Sequence, residues 1–127
     1  MQNRASKKIL AVVEDLLFTV KIGDAAKRAG LAVEFVKSER DVIEKASNEK
    51  PLLIIVDLNF SAVQPLKLIS KLKSSSDVKQ ISVIGYLSHV QGELKQQAQE
   101  AGANIVMARS AFSQNLQQIL KRHSGLV

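Results

Sequence analysis

Acidic side chains follow two apolar runs in this sequence, at the positions where strands of a parallel sheet would end. Asp57 comes directly after Leu52–Val56, and Glu14 and Asp15 come after Ile9–Val13. If the two runs form neighbouring strands, their carboxyl ends meet at one edge of the sheet and the three carboxylates share a pocket. Because carboxylates repel one another, the pocket favours a cation, and a site made only of oxygen ligands suits Mg²⁺. An ionised aspartate beside Mg²⁺ can act as a nucleophile toward a phosphoryl group.

Arg109, at the end of the last apolar run, is the cation expected nearest to these acids. A purely structural interpretation competes for the acid pair, since Asp and Glu are favoured at helix N-termini and Glu14 and Asp15 come where a helix should begin. For that pair alone, helix capping is the first interpretation. Asp57 is the stronger functional candidate, because it lies where an apolar strand stops.

The apolar pattern alternates short strand-like runs with segments of helical period, five times along the chain. The runs contain few polar residues, as is typical of strands covered on both faces of a sheet. They are Lys8–Val13, Leu31–Val36, Leu52–Val56, Ile81–Leu87 and Asn104–Ala108. A helical stripe of apolar residues follows each run, and Gly30 and Gly102 are placed where the first and fourth helices should end.

Three serines are expected to begin helices. Ser38 has the character of an N-cap for the second helix. Ser61-x-x-Gln64 and Ser88-x-x-Gln91 have the spacing of capping boxes, in which the N-cap side chain and a glutamine each accept a backbone amide. These patterns predict the starts of the third and fourth helices.

Five βα units with short connections predict an α/β fold, a doubly wound parallel sheet with helices on both faces. The chain has 127 residues, the size of one domain, and no linker or low-complexity segment interrupts it. We therefore expect a single domain over residues 1–127 with its core in residues 8–122.

The composition excludes several classes of protein. There is no cysteine, which excludes disulfides and thiolate chemistry and is typical of the cytoplasm, where we expect the protein. The apolar runs are far shorter than a membrane helix. The net charge is +6, but the basic residues are scattered and aromatic residues are few, so direct nucleic-acid binding is not expected.

No motif of an enzyme active site is present. The sequence has neither a Walker pattern nor G-x-G-x-x-G. Ser88 and His89 are adjacent and lack a nucleophile elbow, which argues against Ser/His/Asp catalysis. His89 and His123 are too far apart, without a nearby partner, for a zinc site. We therefore do not expect an enzyme.

Three segments resemble the receiver domain of two-component response regulators. They are Ile9-Leu-Ala-Val-Val-Glu-Asp15, Leu53-Ile-Ile-Val-Asp-Leu-Asn59 and Gly102-Ala-Asn-Ile-Val-Met-Ala-Arg109, and the likeness extends from Lys8 to Arg122. The second segment is the most specific of the three. The resemblance implies the flavodoxin-like (βα)5 fold, with five parallel strands in the order 2-1-3-4-5.

The resemblance also implies a site and a partner. In receiver domains, the aspartate at the position of Asp57 accepts a phosphoryl group from a histidine kinase. Acids after the first strand, together with a backbone carbonyl two residues beyond that aspartate, hold Mg²⁺. Here Glu14, Asp15 and Asn59 would bind the metal with Asp57. The partner would be a histidine kinase or a phosphotransfer protein of a phosphorelay.

The sequence departs from the receiver pattern at the positions that respond to phosphorylation. The family has a Thr or Ser at the end of the fourth strand, where this chain has Leu87, with Ser88 one residue later. The family's lysine after the fifth strand is Arg109 here, and a planar guanidinium does not occupy the same space as an ammonium. The proline that usually follows that lysine is Ser110.

Two functions are therefore open. The chain is a receiver-like signalling domain with Asp57 as phosphoacceptor and an altered switch at Leu87 and Ser88, or it is a degenerate pseudo-receiver that binds proteins without phosphorylation. A permanent ion pair between Arg109 and Asp57 would fix the charge of the pocket. In either case the face of the fourth helix, fifth strand and fifth helix is glutamine-rich and suits an unknown protein partner or a homodimer.

Overall fold

Strands and helices alternate along the chain in the computed structural model, which describes residues 7–88 and 92–124. In chain order the elements are β1 (Lys8–Val12), α1 (Leu16–Arg28), β2 (Ala32–Phe35), α2 (Glu39–Glu49), β3 (Leu53–Asp57), a 3₁₀ turn (Ser61–Val63), α3 (Pro65–Ser74), β4 (Ser82–Leu87), α4 (Gly92–Ala101), β5 (Ile105–Ala108) and α5 (Arg109–Ser124). Each predicted strand is present, within one residue of its expected bounds.

The five strands form one parallel sheet in the order β2-β1-β3-β4-β5, which confirms the predicted fold class and strand order. All five residues of the central strand β3 are buried, whereas the edge strands β2 and β5 are partly exposed. The register places Val12 beside Val56 and Asp57 beside Tyr86. The carboxyl ends of β1, β3 and β4 therefore lie together at one edge of the sheet.

Helices cover both faces of the sheet and enclose two hydrophobic cores. On one face, α1 and α5 pack over Ile9, Ile55, Ile84 and other side chains of alternate strand positions. On the other face, α2, α3 and α4 cover the intervening positions, Ile54 among them. This arrangement is the predicted doubly wound sheet.

Several helix ends follow the sequence signals. The Ser38 hydroxyl accepts a hydrogen bond from the Asp41 amide at the start of α2, as predicted. Gly30 and Gly102 have φ angles of 73° and 119° immediately beyond α1 and α4. Left-handed backbone of this kind is readily adopted only by glycine, which explains why these helices end there.

The predicted capping box at Ser61 is wrong. Residues Ser61–Val63 form a 3₁₀ turn, and α3 begins at Pro65 with Gln64 in a left-handed conformation and no side-chain cap. Proline fixes its own φ near the helical value and needs no amide partner, so it begins the helix in place of a cap. The Gln91 half of the second predicted box and His89 lie outside the described residues.

Within the described residues, no helix combines the length and the apolar character required to cross a lipid bilayer.

Candidate functional site

Asp57 is the last residue of β3 and is only 5% exposed. Its Oδ1 accepts a hydrogen bond of 2.9 Å from the Asn59 amide. Burial raises the pKa of the Asp57 carboxyl, and the Asn59 amide and the Arg109 charge act in the opposite direction. A carboxylate in a largely apolar layer, with one backbone donor, is poorly solvated and correspondingly reactive toward an electrophile.

Glu14 and Asp15 lie in the loop after β1, at the same edge of the sheet as Asp57, and their charges contribute to the raised pKa of the Asp57 carboxyl. Glu14 is exposed. The Asp15 carboxylate caps α1, accepting a hydrogen bond from the Leu17 amide. The capping interpretation of Asp15 is therefore correct. The three acids follow strands that end at the same edge of the sheet, whereas the shared pocket of three carboxylates stays a prediction.

The oxygen donors at this edge have the chemistry that Mg²⁺ prefers, since carboxylates and a backbone carbonyl are hard ligands. The ligands expected from the sequence are Glu14, Asp15, Asp57 and the carbonyl of Asn59. In the part of the chain that the structure describes, no three acidic or histidine side chains are gathered closely enough to hold a metal ion by themselves.

Arg109 is the first residue of α5. Its guanidinium carbon lies 5.2 Å from the centre of the Phe18 ring, a cation–π contact. No ion pair joins Arg109 to Asp57 within residues 7–88 and 92–124, and the buried Nε of Arg109 has no hydrogen-bond partner there. The permanent Arg109–Asp57 pair is therefore not observed, although the charge of Arg109 does lower the pKa of Asp57.

The end of β4 provides no hydroxyl at the position of Leu87, whose side chain is buried in the core under α3 and α4 together with Val106. Ser88 follows it and is partly exposed. The backbone amide of Ser88 donates a 2.8 Å hydrogen bond to the side-chain oxygen of Asn59. Asn59 thus connects the loop after Asp57 with the loop after β4.

Tyr86 is the residue of this edge to which sequence reasoning assigned no role. It lies beside Asp57 in the sheet register and is fully buried. Its ring stacks on Phe18 and Phe112, with ring centres 5.0 and 4.8 Å away. The alternation of β4 could have placed Tyr86 on the face of α1 and α5, but no sequence signal indicates what surrounds its hydroxyl.

Comparison with solved structures identifies the fold. The chemotaxis response regulator CheY4 of Vibrio cholerae superposes with a TM-score of 0.79 at 21% identity, covering 94% of this chain and 99% of that one. The phosphorylated cyanobacterial phytochrome response regulator RcpA gives 0.76 at 23% identity, covering 93% and 91%. The receiver domain of a Pseudomonas aeruginosa sensor histidine kinase, with a magnesium ion coordinated in its active-site cleft, gives 0.79 at 20% identity, covering 95% and 99%.

No protein-family model matches the chain, and no curated protein matches it in sequence. The structural likeness therefore carries the comparison, and it extends over nearly the whole chain. The chain has the fold of response regulator receiver domains, as the sequence resemblance predicted.

Proposed function

We propose that this chain is a signalling domain of a two-component phosphorelay and that Asp57 is its phosphoacceptor. The observation that carries the proposal is the burial of Asp57, the only charged or polar residue in the buried core of the described chain, at the carboxyl end of the central strand. Burying a charge costs free energy unless the charge is paired and hydrogen-bonded, and no ion pair to Asp57 is found among the described residues, so a functional role is the better explanation of this residue. In sheets of this kind, ligands bind at the carboxyl ends of the strands.

The reaction requires one new bond and one broken bond. An oxygen of the Asp57 carboxylate attacks the phosphorus of a phosphohistidine on a histidine kinase or phosphotransfer protein. The O–P bond forms as the P–N bond breaks, and the imidazole nitrogen leaves with the electron pair. The hydrogen bond from the Asn59 amide to Oδ1 of Asp57 holds the carboxylate in one orientation for this attack. The chain is the phosphoryl acceptor in this transfer.

Mg²⁺ would be held by Glu14, Asp15, Asp57 and the carbonyl of Asn59. Bound there, it would neutralise charge on the phosphoryl oxygens. The chain's own contributions are the orientation of the Asp57 carboxylate by the Asn59 amide and a positive potential from Arg109, which favours the ionised form of Asp57. The magnesium in the P. aeruginosa receiver domain supports this assignment.

A phosphorylation-independent interaction module is the second candidate. Two observations favour it: Leu87 has no hydroxyl to follow a phosphoryl group, and Arg109 rests on Phe18 without pairing with Asp57. Such a module would bind a protein partner or a second copy through α4, β5 and α5. Most of the glutamines of that face are exposed in the described part, namely Gln96, Gln97, Gln99, Gln114 and Gln118, whereas Gln117 donates to the Ala25 carbonyl in the groove beside α1.

Phosphoryl uptake separates the two candidates. The protein is incubated with Mg²⁺ and acetyl phosphate, and the added phosphoryl group is followed by intact-mass spectrometry. We expect uptake by the wild type, none by Asp57→Asn, and unchanged uptake by Asp77→Asn, an exposed aspartate located before β4. Amide NMR with Mg²⁺ and beryllofluoride should shift the signals of Glu14, Asp15 and Asp57. If the wild type takes up no phosphoryl group and its spectrum ignores both additions, the interaction module is the correct function.

A further inference from the structure

Tyr86 carries a buried hydroxyl with no hydrogen-bond partner among the described residues. The whole side chain is inaccessible to solvent. A hydroxyl removed from water without a compensating hydrogen bond costs free energy, so each such group in a folded protein requires an explanation. Among the described residues, no acceptor takes up the donor of the Tyr86 hydroxyl.

Tyr86 and Asp57 are adjacent and face the same side of the sheet. They are register partners on β4 and β3, and neighbouring strands lie about 4.8 Å apart. Tyr86 packs with Ile84 in the core under α1 and α5. Asp57 comes two residues after Ile55, which belongs to the same core, and residues two apart on a strand share one face of the sheet. The phenol therefore lies on the side of the sheet to which the Asp57 position belongs.

Arg109 provides a second donor at the same place. Its Nε is buried and has no partner in the described residues. The Arg109 guanidinium and the Tyr86 ring both contact Phe18, at 5.2 and 5.0 Å from the ring centre. The Arg109 guanidinium and the Tyr86 phenol thus lie against the same ring, and the charge of Arg109 acts on both the Asp57 carboxyl and the Tyr86 phenol.

The electrostatics keep the phenol in its donor form. Burial is the main cause of the raised pKa of Tyr86, the charge of Asp57 raises it further, and the charge of Arg109 lowers it. The charges of Asp57 and Arg109 therefore both act on the pKa of the phenol, which stays protonated at neutral pH. A protonated hydroxyl in a poorly solvated site is a strong donor to an anionic oxygen.

We infer that Tyr86 is a positioning residue of the Asp57 site, whose hydroxyl donates a hydrogen bond to an oxygen of the phosphoryl group on Asp57, alongside the Arg109 guanidinium. The inference rests on the proposed function, because it requires a phosphoryl group on Asp57. Leu87, at the end of the same strand, has no hydroxyl. In place of a hydroxyl at position 87, the phosphoryl group would be bonded by the hydroxyl of Tyr86, which lies on the face of α1 and α5, opposite to Leu87.

The Tyr86→Phe variant tests this role, because it removes the hydroxyl and retains the aromatic stack. In the presence of Mg²⁺, we expect the variant to bind beryllofluoride roughly tenfold more weakly than the wild type. Its melting temperature should be equal or higher, since the lost hydroxyl has no partner among residues 7–88 and 92–124. Phe112→Leu is the matched control. It shortens the stack and lowers the melting temperature, but the hydroxyl is retained and the affinity should stay within about twofold of wild type.

A spectroscopic measurement covers the case in which Tyr86→Phe does not fold. Tyr86 is the only tyrosine and the chain has no tryptophan. Tyrosine labelled with ¹³C at the hydroxyl-bearing ring carbon therefore gives one signal. We expect this signal to shift when beryllofluoride is added to the wild type and to stay unchanged in Asp57→Asn.

The outcomes distinguish the inference from the function on which it rests. Equal beryllofluoride affinity of wild type and Tyr86→Phe, or a tyrosine signal that ignores beryllofluoride bound to the wild type, overturns the role of Tyr86 and leaves Asp57 as the phosphoacceptor. If the wild type neither binds beryllofluoride nor takes up a phosphoryl group, the proposed function fails and this role fails with it.

Discussion

The burial of Asp57 predicts that its ionised carboxylate lowers the stability of the folded chain at neutral pH. Its pKa is raised mainly by burial, so the folded state holds this proton more tightly than the unfolded chain does. The folded protein therefore bears the cost of a buried charge above the folded-state pKa and is relieved of it as the pH falls through that pKa. We predict that Asp57→Asn raises the free energy of unfolding at about pH 7 by on the order of 1 kcal/mol. Urea unfolding should show this advantage shrinking toward about pH 4.

Asp77 provides a control of opposite sign. Lys50 and Ser47 both bond its carboxylate and lower its pKa. Its contribution to stability is present at neutral pH and is lost as the pH falls through the folded-state pKa. Asp77→Asn should therefore weaken the protein at neutral pH, with a difference that vanishes in acid. If Asp57→Asn instead behaves as Asp77→Asn does, burial is not what dominates the ionisation of Asp57.

The turn between α4 and β5 depends on a glycine under a lysine side chain. Gly102 has a φ of 119°, and a Cβ there would lie 2.6 Å from Cγ and 2.9 Å from Cβ of Lys73. Lys73 is held in place because its ammonium donates to the carbonyls of Lys79 and Ile81. We predict that Gly102→Ala lowers the free energy of unfolding by about 1–3 kcal/mol, measured by urea unfolding.

Gly23 is the matched glycine without these constraints. It lies inside α1, and apart from its chain neighbours and the backbone of its own helix no described atom lies within 4 Å of a Cβ built there. Gly23→Ala should therefore stabilise the protein by roughly 0.5–1 kcal/mol, because alanine is the better helix former. Equal effects of the two substitutions would show that neither the backbone angle nor the Lys73 contact limits position 102.

The elements of the fold were largely predictable because their signals are local. β3 is a run of buried apolar residues that could be located from the sequence alone, and Ser38 caps α2 as its position indicates. The start of α3 was not predictable from the capping-box spacing, since the helix begins at Pro65 after a left-handed Gln64. The segment contains two signals for a helix start, the capping-box spacing from Ser61 and the proline at position 65, and α3 begins at the proline.

The candidate site was predictable only in part, because its contacts join distant parts of the chain. That Asp57, Glu14 and Asp15 lie at one edge follows from strand order. The contact of Arg109 with Phe18 follows from how α1 and α5 pack. The same packing leaves the Tyr86 hydroxyl without a partner in the part of the chain that the structure describes. The spacing of residues in the sequence does not indicate contacts between residues so far apart. A continuous run of apolar residues, by contrast, directly indicates a buried strand.

The molecule as a whole is two cores that share one set of strands. Along β1, β3 and β4, alternate residues belong to the core under α1 and α5 and to the core under α2, α3 and α4. Unfolding of one of these strands would therefore disrupt both cores. We therefore propose that residues 1–127 form one domain that unfolds as a single cooperative unit, although its two helical layers lie on opposite sides of the sheet.

Cooperativity is tested with one large-to-small substitution in each core. Leu72 on α3 and Leu116 on α5 are both buried, one on each face. Leu72→Ala and Leu116→Ala should each lower the free energy of unfolding by about 2–5 kcal/mol. Tyr86 reports only the α1/α5 side, whereas far-UV circular dichroism reports all elements. If the sheet couples the cores, both signals share one urea midpoint in both variants. A Leu72→Ala protein that loses part of its dichroism while Tyr86 fluorescence stays native would show that the two layers unfold separately.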